Sequence, residues 1–198
     1  MASPVMTIDL FCEDAGHESF VTALIKRLAR DAGRQAEIRV RNASGGKGRA
    51  IVELKAWQRA FATFATGSPD LLVVVIDCNC SDWNQRRMDL ESAVDQARFP
   101  GFLVGCPDPH VERWCIADPV VFNQVVGGPP EADPGKCERN AYKNLLRRSI
   151  QQAGGQILSD PMEYAPELVQ AMDLYRAGKN QQSLKHFVEG LRAALRTP

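Results

Sequence analysis

Short apolar runs alternate along this chain with stretches whose apolar residues recur every three or four positions. Leu71-Leu72-Val73-Val74-Val75-Ile76 is the clearest run, six apolar residues ending abruptly in Asp77. A continuous run rich in Val is the pattern of a strand buried on both faces of a parallel sheet. Val5 to Phe11, Ala36 to Val40 and Phe102 to Cys106 are three further strand candidates. Between them lie helical patterns. Phe20, Leu24, Ile25 and Leu28 predict a helix from about His17 to Asp31, stopped by Gly33. Ile51, Leu54, Trp57, Phe61 and Phe64 mark one face of a helix over Arg49 to Ala65. A third helix spans about Gln85 to Arg98, and His110 to Ala117 follows the last strand. This β-α alternation predicts an α/β fold with a mainly parallel sheet covered by helices.

Beyond Val126 the pattern changes. Gly127-Gly128-Pro129-Pro130 and Pro134-Gly135 make the best linker in the chain. Helical spacing resumes over Cys137 to Ala153, Pro161 to Ala177 and Gln181 to Leu195. The expected organisation is an α/β domain over 1–126, a linker over 127–136 and a C-terminal helical extension over 137–198. The loop Asn42 to Gly48 is rich in glycine but lacks the order of a phosphate-binding P-loop.

Composition narrows the function classes. The 198 residues carry 24 basic and 24 acidic side chains, so the chain has no overall basic excess of the kind a general nucleic-acid binder shows. Basic residues do cluster at Lys26 to Arg49 and Arg139 to Arg148, which leaves room for a positive face. No apolar stretch reaches the length of a membrane span, and Met1 to Asp9 lacks the pattern of a signal peptide. The six cysteines form no CxxC pair, and the expectation is reduced thiols in a cytoplasmic protein.

Candidate chemistry falls at the ends of the predicted strands. Glu13 follows the first, Asp77 and Asn79 the third, and Glu112 the fourth. In a parallel sheet these positions share one rim, where ligands bind. Converging carboxylates repel unless a cation sits among them, and oxygen donors suit Mg²⁺ or Mn²⁺. Glu18 is either a further acid of this group or a favourable charge in the first turn of its helix. His17 and His110 each stand beside a candidate acid and invite a general-base role. Lys136 is either a phosphate contact or a solvated side chain.

With Glu13 after the first strand and Asp77-Cys78-Asn79 after the third, the chain resembles TOPRIM-type domains, the metal-binding fold of topoisomerases, primases and overcoming-lysogenization-defect nucleases. Asn79 stands where that family places a second Asp, and Glu13-Asp14 where it has Glu-Gly. Three segments are similar to a small bacterial TOPRIM-like group encoded beside ABC-type ATPases in phage-defence loci: Glu13 to Glu18, Pro107 to Asp118, and Ser183 to Phe187. The resemblance implies a Mg²⁺- or Mn²⁺-dependent phosphodiester hydrolase, a nuclease subunit working with an ABC-type ATPase. Glu13 and Asp77 would be catalytic and metal-binding, Asn79 and Glu112 further ligands, and Glu18 and Lys136 accessory residues. DNA or RNA would be the substrate. The alternative is a catalytically inactive TOPRIM-like module that docks on the ATPase, a reading the missing charge at Asn79 favours.

Overall fold

The computed structural model describes residues 5–44, 48–64, 67–133, 135, 138 and 140–196. Lys136, the glycine-lysine part of the 42–48 loop and part of the 127–136 segment lie outside the described residues.

Four parallel strands form one sheet: β1 (Met6–Cys12), β2 (Ala36–Asn42), β3 (Leu71–Val75) and β4 (Phe102–Gly105), in the order β2-β1-β3-β4. The α/β expectation therefore holds. The first crossover, through α1 (Ala15–Asp31), moves from β1 to one edge. The next, through α2 (Ala50–Phe64), passes back over β1 to β3, and α3 (Trp83–Ala93) leads on to β4. The winding direction thus reverses between β1 and β3, and their carboxyl ends diverge into different loops at that point.

Alternation along the strands sends side chains to two cores. Ile8, Leu10, Cys12, Leu71, Val73 and Val75 face one cluster; Phe11, Leu72, Val74 and Ile76 face the other. The second cluster is closed by α2 and α3, with Trp57 stacked on Phe99 at 5.6 Å between ring centroids. The first is larger and takes in α1 together with α4 (Val111–Cys115), α5 (Pro119–Val126), α6 (Ala141–Gln152), α7 (Ala165–Ala171), α8 (Leu174–Asn180) and α9 (Gln182–Arg196). The C-terminal helices thus share the core of the sheet domain. Close approach of α9 to β4 requires glycine: a Cβ on Gly190 would stand 2.6 Å from Leu103 Cδ1, and one on Gly105 would stand 2.9 Å from Phe187.

Three element boundaries differ from the sequence expectation, each for a local polar reason. α3 ends five residues earlier than Arg98. There the buried Gln58 donates to Ala93 O at 2.9 Å and accepts from Asp95 N at 2.7 Å, which draws the chain out of helix. The single helix expected over 161–177 is instead a 3-10 turn (Pro161–Tyr164), α7 and α8. Asp173 restarts the chain by accepting from Tyr175 N and Arg176 N. Helix α5 has no counterpart in the sequence reading. Asp118 caps it, Pro119 occupies its first turn, and Gly127 closes it in the left-handed region. Cys80 also departs from the all-thiol expectation, since it is disulfide-bonded, whereas Cys12, Cys78, Cys106 and Cys115 are buried free thiols. No helix among the described residues is long and apolar enough to cross a membrane.

Candidate functional site

Glu13 lies one residue beyond β1 and Asp77 two residues beyond β3, on the carboxyl rim where the winding reverses. The ladder extends past the strands to hold them there. Glu13 N donates to Val75 O at 3.1 Å, Cys78 N to Pro107 O at 2.9 Å and Asn79 N to Pro109 O at 3.1 Å. The Asp77 and His110 loops are thereby tied side by side.

Asp14 starts α1 as its N-cap. Its Oδ1 accepts from Gly16 N and His17 N, and also from His17 Nδ1 at 2.8 Å. That contact fixes the His17 ring and aims Nε2 across the switch point at Asp77 Oδ1, 2.8 Å away. Asp77 Oδ1 also accepts from Val111 N at 3.0 Å, and Oδ2 from His110 Nδ1 at 2.9 Å. Asp77 N in turn donates to Glu13 Oε2 at 3.1 Å. The result is a chain from Asp14 through His17 and Asp77 to His110, with Glu13 against its centre.

His17 is only 1% exposed, and both ring nitrogens face carboxylates, so both carry protons. Burial disfavours its charge, but Asp77 and Asp14 outweigh that and hold the imidazole well above its usual range. Burial likewise opposes ionisation of Asp77, yet the His17 charge and the bonds from both histidines keep its carboxyl below the ordinary value. Glu13 is different. Burial and then the Asp77 charge push its carboxyl up, with His17 only partly offsetting them. Glu112, half-buried in α4, is raised by the same two causes, burial first and Asp77 second. Two carboxyl groups are therefore crowded against an ionised third.

Glu13 Oε, His17 N and Asp77 Oδ offer ligand atoms that all lie within 4.8 Å of one another, so the trio could hold a metal ion. The donor set is two carboxylates and one imidazole. Of the residues expected from sequence, Glu13 and Asp77 come together, and Glu112 shares their electrostatic field. Asn79 stands beside them in the left-handed region at φ 50°, but its Nδ2 donates to Asp77 O at 3.3 Å. Glu18 accepts from Asn42 Nδ2 at 2.6 Å and is tied to the end of β2.

Two side chains gain a place that the sequence reading did not give them. His17 joins the ligand trio, and the signal for this was its third-residue spacing from the capping Asp14. Arg86 of α3 donates from Nε to the backbone carbonyl of Asp77 at 3.2 Å, which ties the helix to the Asp77 loop. Nothing in the local sequence marked it, because its placement depends on how α3 packs.

No protein-family model, curated protein or solved structure matches the chain.

Proposed function

We propose that the protein is a metal-dependent phosphodiester hydrolase, with Glu13, Asp77 and His17 holding one divalent ion once the ion has displaced the His17 Nε2 proton. The observation that carries this reading is the convergence of those three ligand atoms at the sheet's switch point, crowded by Glu112. The donor set fits an ion of intermediate softness: an imidazole between two carboxylates suits Mn²⁺ better than Mg²⁺. When bound, such an ion polarises a phosphoryl oxygen and lowers the pKa of water. The chain's own residues bind and orient. Asp14 and His110 fix the His17 ring and the Asp77 carboxylate from their far sides. The guanidinium of Arg86, held to the Asp77 loop through its backbone carbonyl, would neutralise a phosphate at that rim. Glu112, whose carboxyl is pushed up by burial and the Asp77 charge, would be the group to exchange a proton with a metal-bound water or a leaving oxygen. An ABC-type ATPase partner, a nuclease role in anti-phage defence and a DNA or RNA substrate are carried by the sequence resemblance.

The test is cleavage of labelled single- and double-stranded DNA and RNA by the pure protein with Mn²⁺, Mg²⁺ or EDTA. Cleavage with Mn²⁺ that is lost in EDTA and in Glu13→Gln supports the hydrolase. The other reading, a non-catalytic docking module, is favoured by one observation: Asp77 already accepts three hydrogen bonds from protein groups. Absence of cleavage, with no metal binding by the wild type, decides for the module.

A further inference from the structure

A second charged surface lies on the outer face of α8 and α9, away from the acidic rim. One cavity of about 600 Å³ opens between the ends of α1 and α9 and is lined by Arg34, Arg192 and Arg196. A neighbouring cavity of about 330 Å³ lies between α8 and α9, lined by Tyr175, Lys179 and Lys185 and again by Arg192. Arg192 thus joins the two into one groove along α9, a helix about 22 Å long at the usual rise per residue.

The groove is strongly positive in a chain of zero net charge. Five basic side chains and two acids, Asp31 and Glu189, line it, and Arg34 also stands in the field of Asp70. Both lining acids are exposed, and each stands 4.0 Å from a basic neighbour on its own helix, Arg27 and Lys185 respectively, a geometry that neutralises little. Among the described residues, none of Arg34, Arg192 and Arg196 takes part in an ion pair. Half-buried Arg27 nearby is lowered from its usual value by burial, which Asp31 partly offsets and to which Arg192 and Arg30 add like-charge repulsion. Tyr175 sits at one end of the groove, 73% exposed, with Lys179 Nζ 4.4 Å from its ring centroid. An exposed aromatic ring flanked by a cation, beside a basic track, is the pairing that binds bases and backbone phosphates together.

We infer that this groove binds single-stranded nucleic acid, with Arg34, Arg192, Arg196 and Lys185 on successive phosphates and a base stacked on Tyr175. The groove is independent of the metal centre, so it can be tested without hydrolysis. The probe is a fluorescein-labelled oligodeoxythymidylate of about 12 nucleotides, within the usual span of single-strand sites. Binding to the full chain is followed by fluorescence anisotropy in EDTA. The expected affinity is micromolar at low salt, weakening as salt rises, with a log–log slope of about −0.7 for each phosphate held. Arg192→Glu should weaken binding by about tenfold or more, and flatten the salt dependence, because it acts on both cavities. Tyr175→Ala should weaken it by roughly fivefold or more, while Tyr175→Phe retains it. Glu13→Gln should bind as the wild type does, which separates this result from the fate of the hydrolase reading. The inference is overturned if the wild type does not bind, or if Arg192→Glu binds normally. It is equally overturned if Tyr175→Ala has no effect and inorganic polyphosphate competes as well as the oligonucleotide, which would make the groove a general polyanion surface.

Discussion

Asp77 and Asp118 are both buried aspartates that accept several hydrogen bonds, yet they are built for different tasks. Asp118 accepts from Val121 N, Asp173 N, and Arg176 Nε and Nη2, the last three at 2.7 to 3.0 Å. Each of those donors is permanent, because neither a backbone amide nor a guanidinium gives up its proton near neutral pH. The cluster caps α5, restarts the chain at α8, and ties the two together. Asp77 also accepts from a backbone amide, but its other partners are two histidines, and two further carboxyl groups press on it. Imidazole can exchange a proton for a metal ion. Burial of a charge therefore does not distinguish the candidate site; an exchangeable donor set under like-charge crowding does.

The contrast is broken most forcefully by truncating each aspartate. Asp118→Ala leaves the Val121 and Asp173 amides without their acceptor, while partly exposed Arg176 keeps Asp173 as a partner, and should cost about 1–3 kcal/mol in denaturant unfolding. Its response to Mn²⁺ should stay that of the wild type. Asp77→Ala would leave His17 Nε2, His110 Nδ1 and the Val111 amide without their acceptor in a buried site, with Asp14 the remaining counter-charge of His17, and should cost at least as much, so it cannot serve as a clean test of metal binding. Asp77→Asn keeps the shape and should cost about 1–3 kcal/mol while abolishing the metal response.

A smaller effect sharpens the comparison through pH. Although burial opposes it, the Arg176 and amide bonds hold the Asp118 carboxyl below its ordinary value. The folded form thus binds its proton less readily than the unfolded chain. The resulting stability is fully present above the unfolded pKa of about 3.9 and is lost as pH falls from there through the folded value. The stability gap between the wild type and Asp118→Asn should narrow as unfolding is measured from pH 6 down to pH 3. A gap that stays constant would mean that the carboxylate charge is not what holds α5 to α8. The smallest effect is expected from Glu18→Gln. Its exposed bond to Asn42 should be worth less than about 1 kcal/mol, and its loss should leave Mn²⁺ binding unchanged.

The sheet was legible in the sequence because burial on both faces leaves an unmistakable mark. The Leu71 to Ile76 run forms β3 and its continuation, and all six residues are fully buried or nearly so. Glu13 and Asp77 were legible for a related reason, since the end of a buried strand fixes where the next polar side chain stands. His17 was visible only as a histidine near an acid. Its role depends on two facts that no local pattern carries: β1 and β3 are neighbours, and Asp14 turns the ring toward Asp77. The break between α7 and α8 escaped because the apolar spacing of Leu168, Val169, Met172 and Leu174 runs straight through it. Asp173, bonded through its own amide to distant Asp118, decides the matter. Arg86 and the α8–α9 groove depend on tertiary packing and charge convergence, to which a sum over the chain is blind.

The most direct test of the central claim is calorimetric titration of Mn²⁺ into the wild type, Glu13→Gln and Asp118→Asn, each first shown to be folded by its unfolding transition. One site is expected in the wild type and in Asp118→Asn, and none in Glu13→Gln. Equal binding in all three, or no binding in the wild type, would contradict a metal ion held by Glu13, His17 and Asp77.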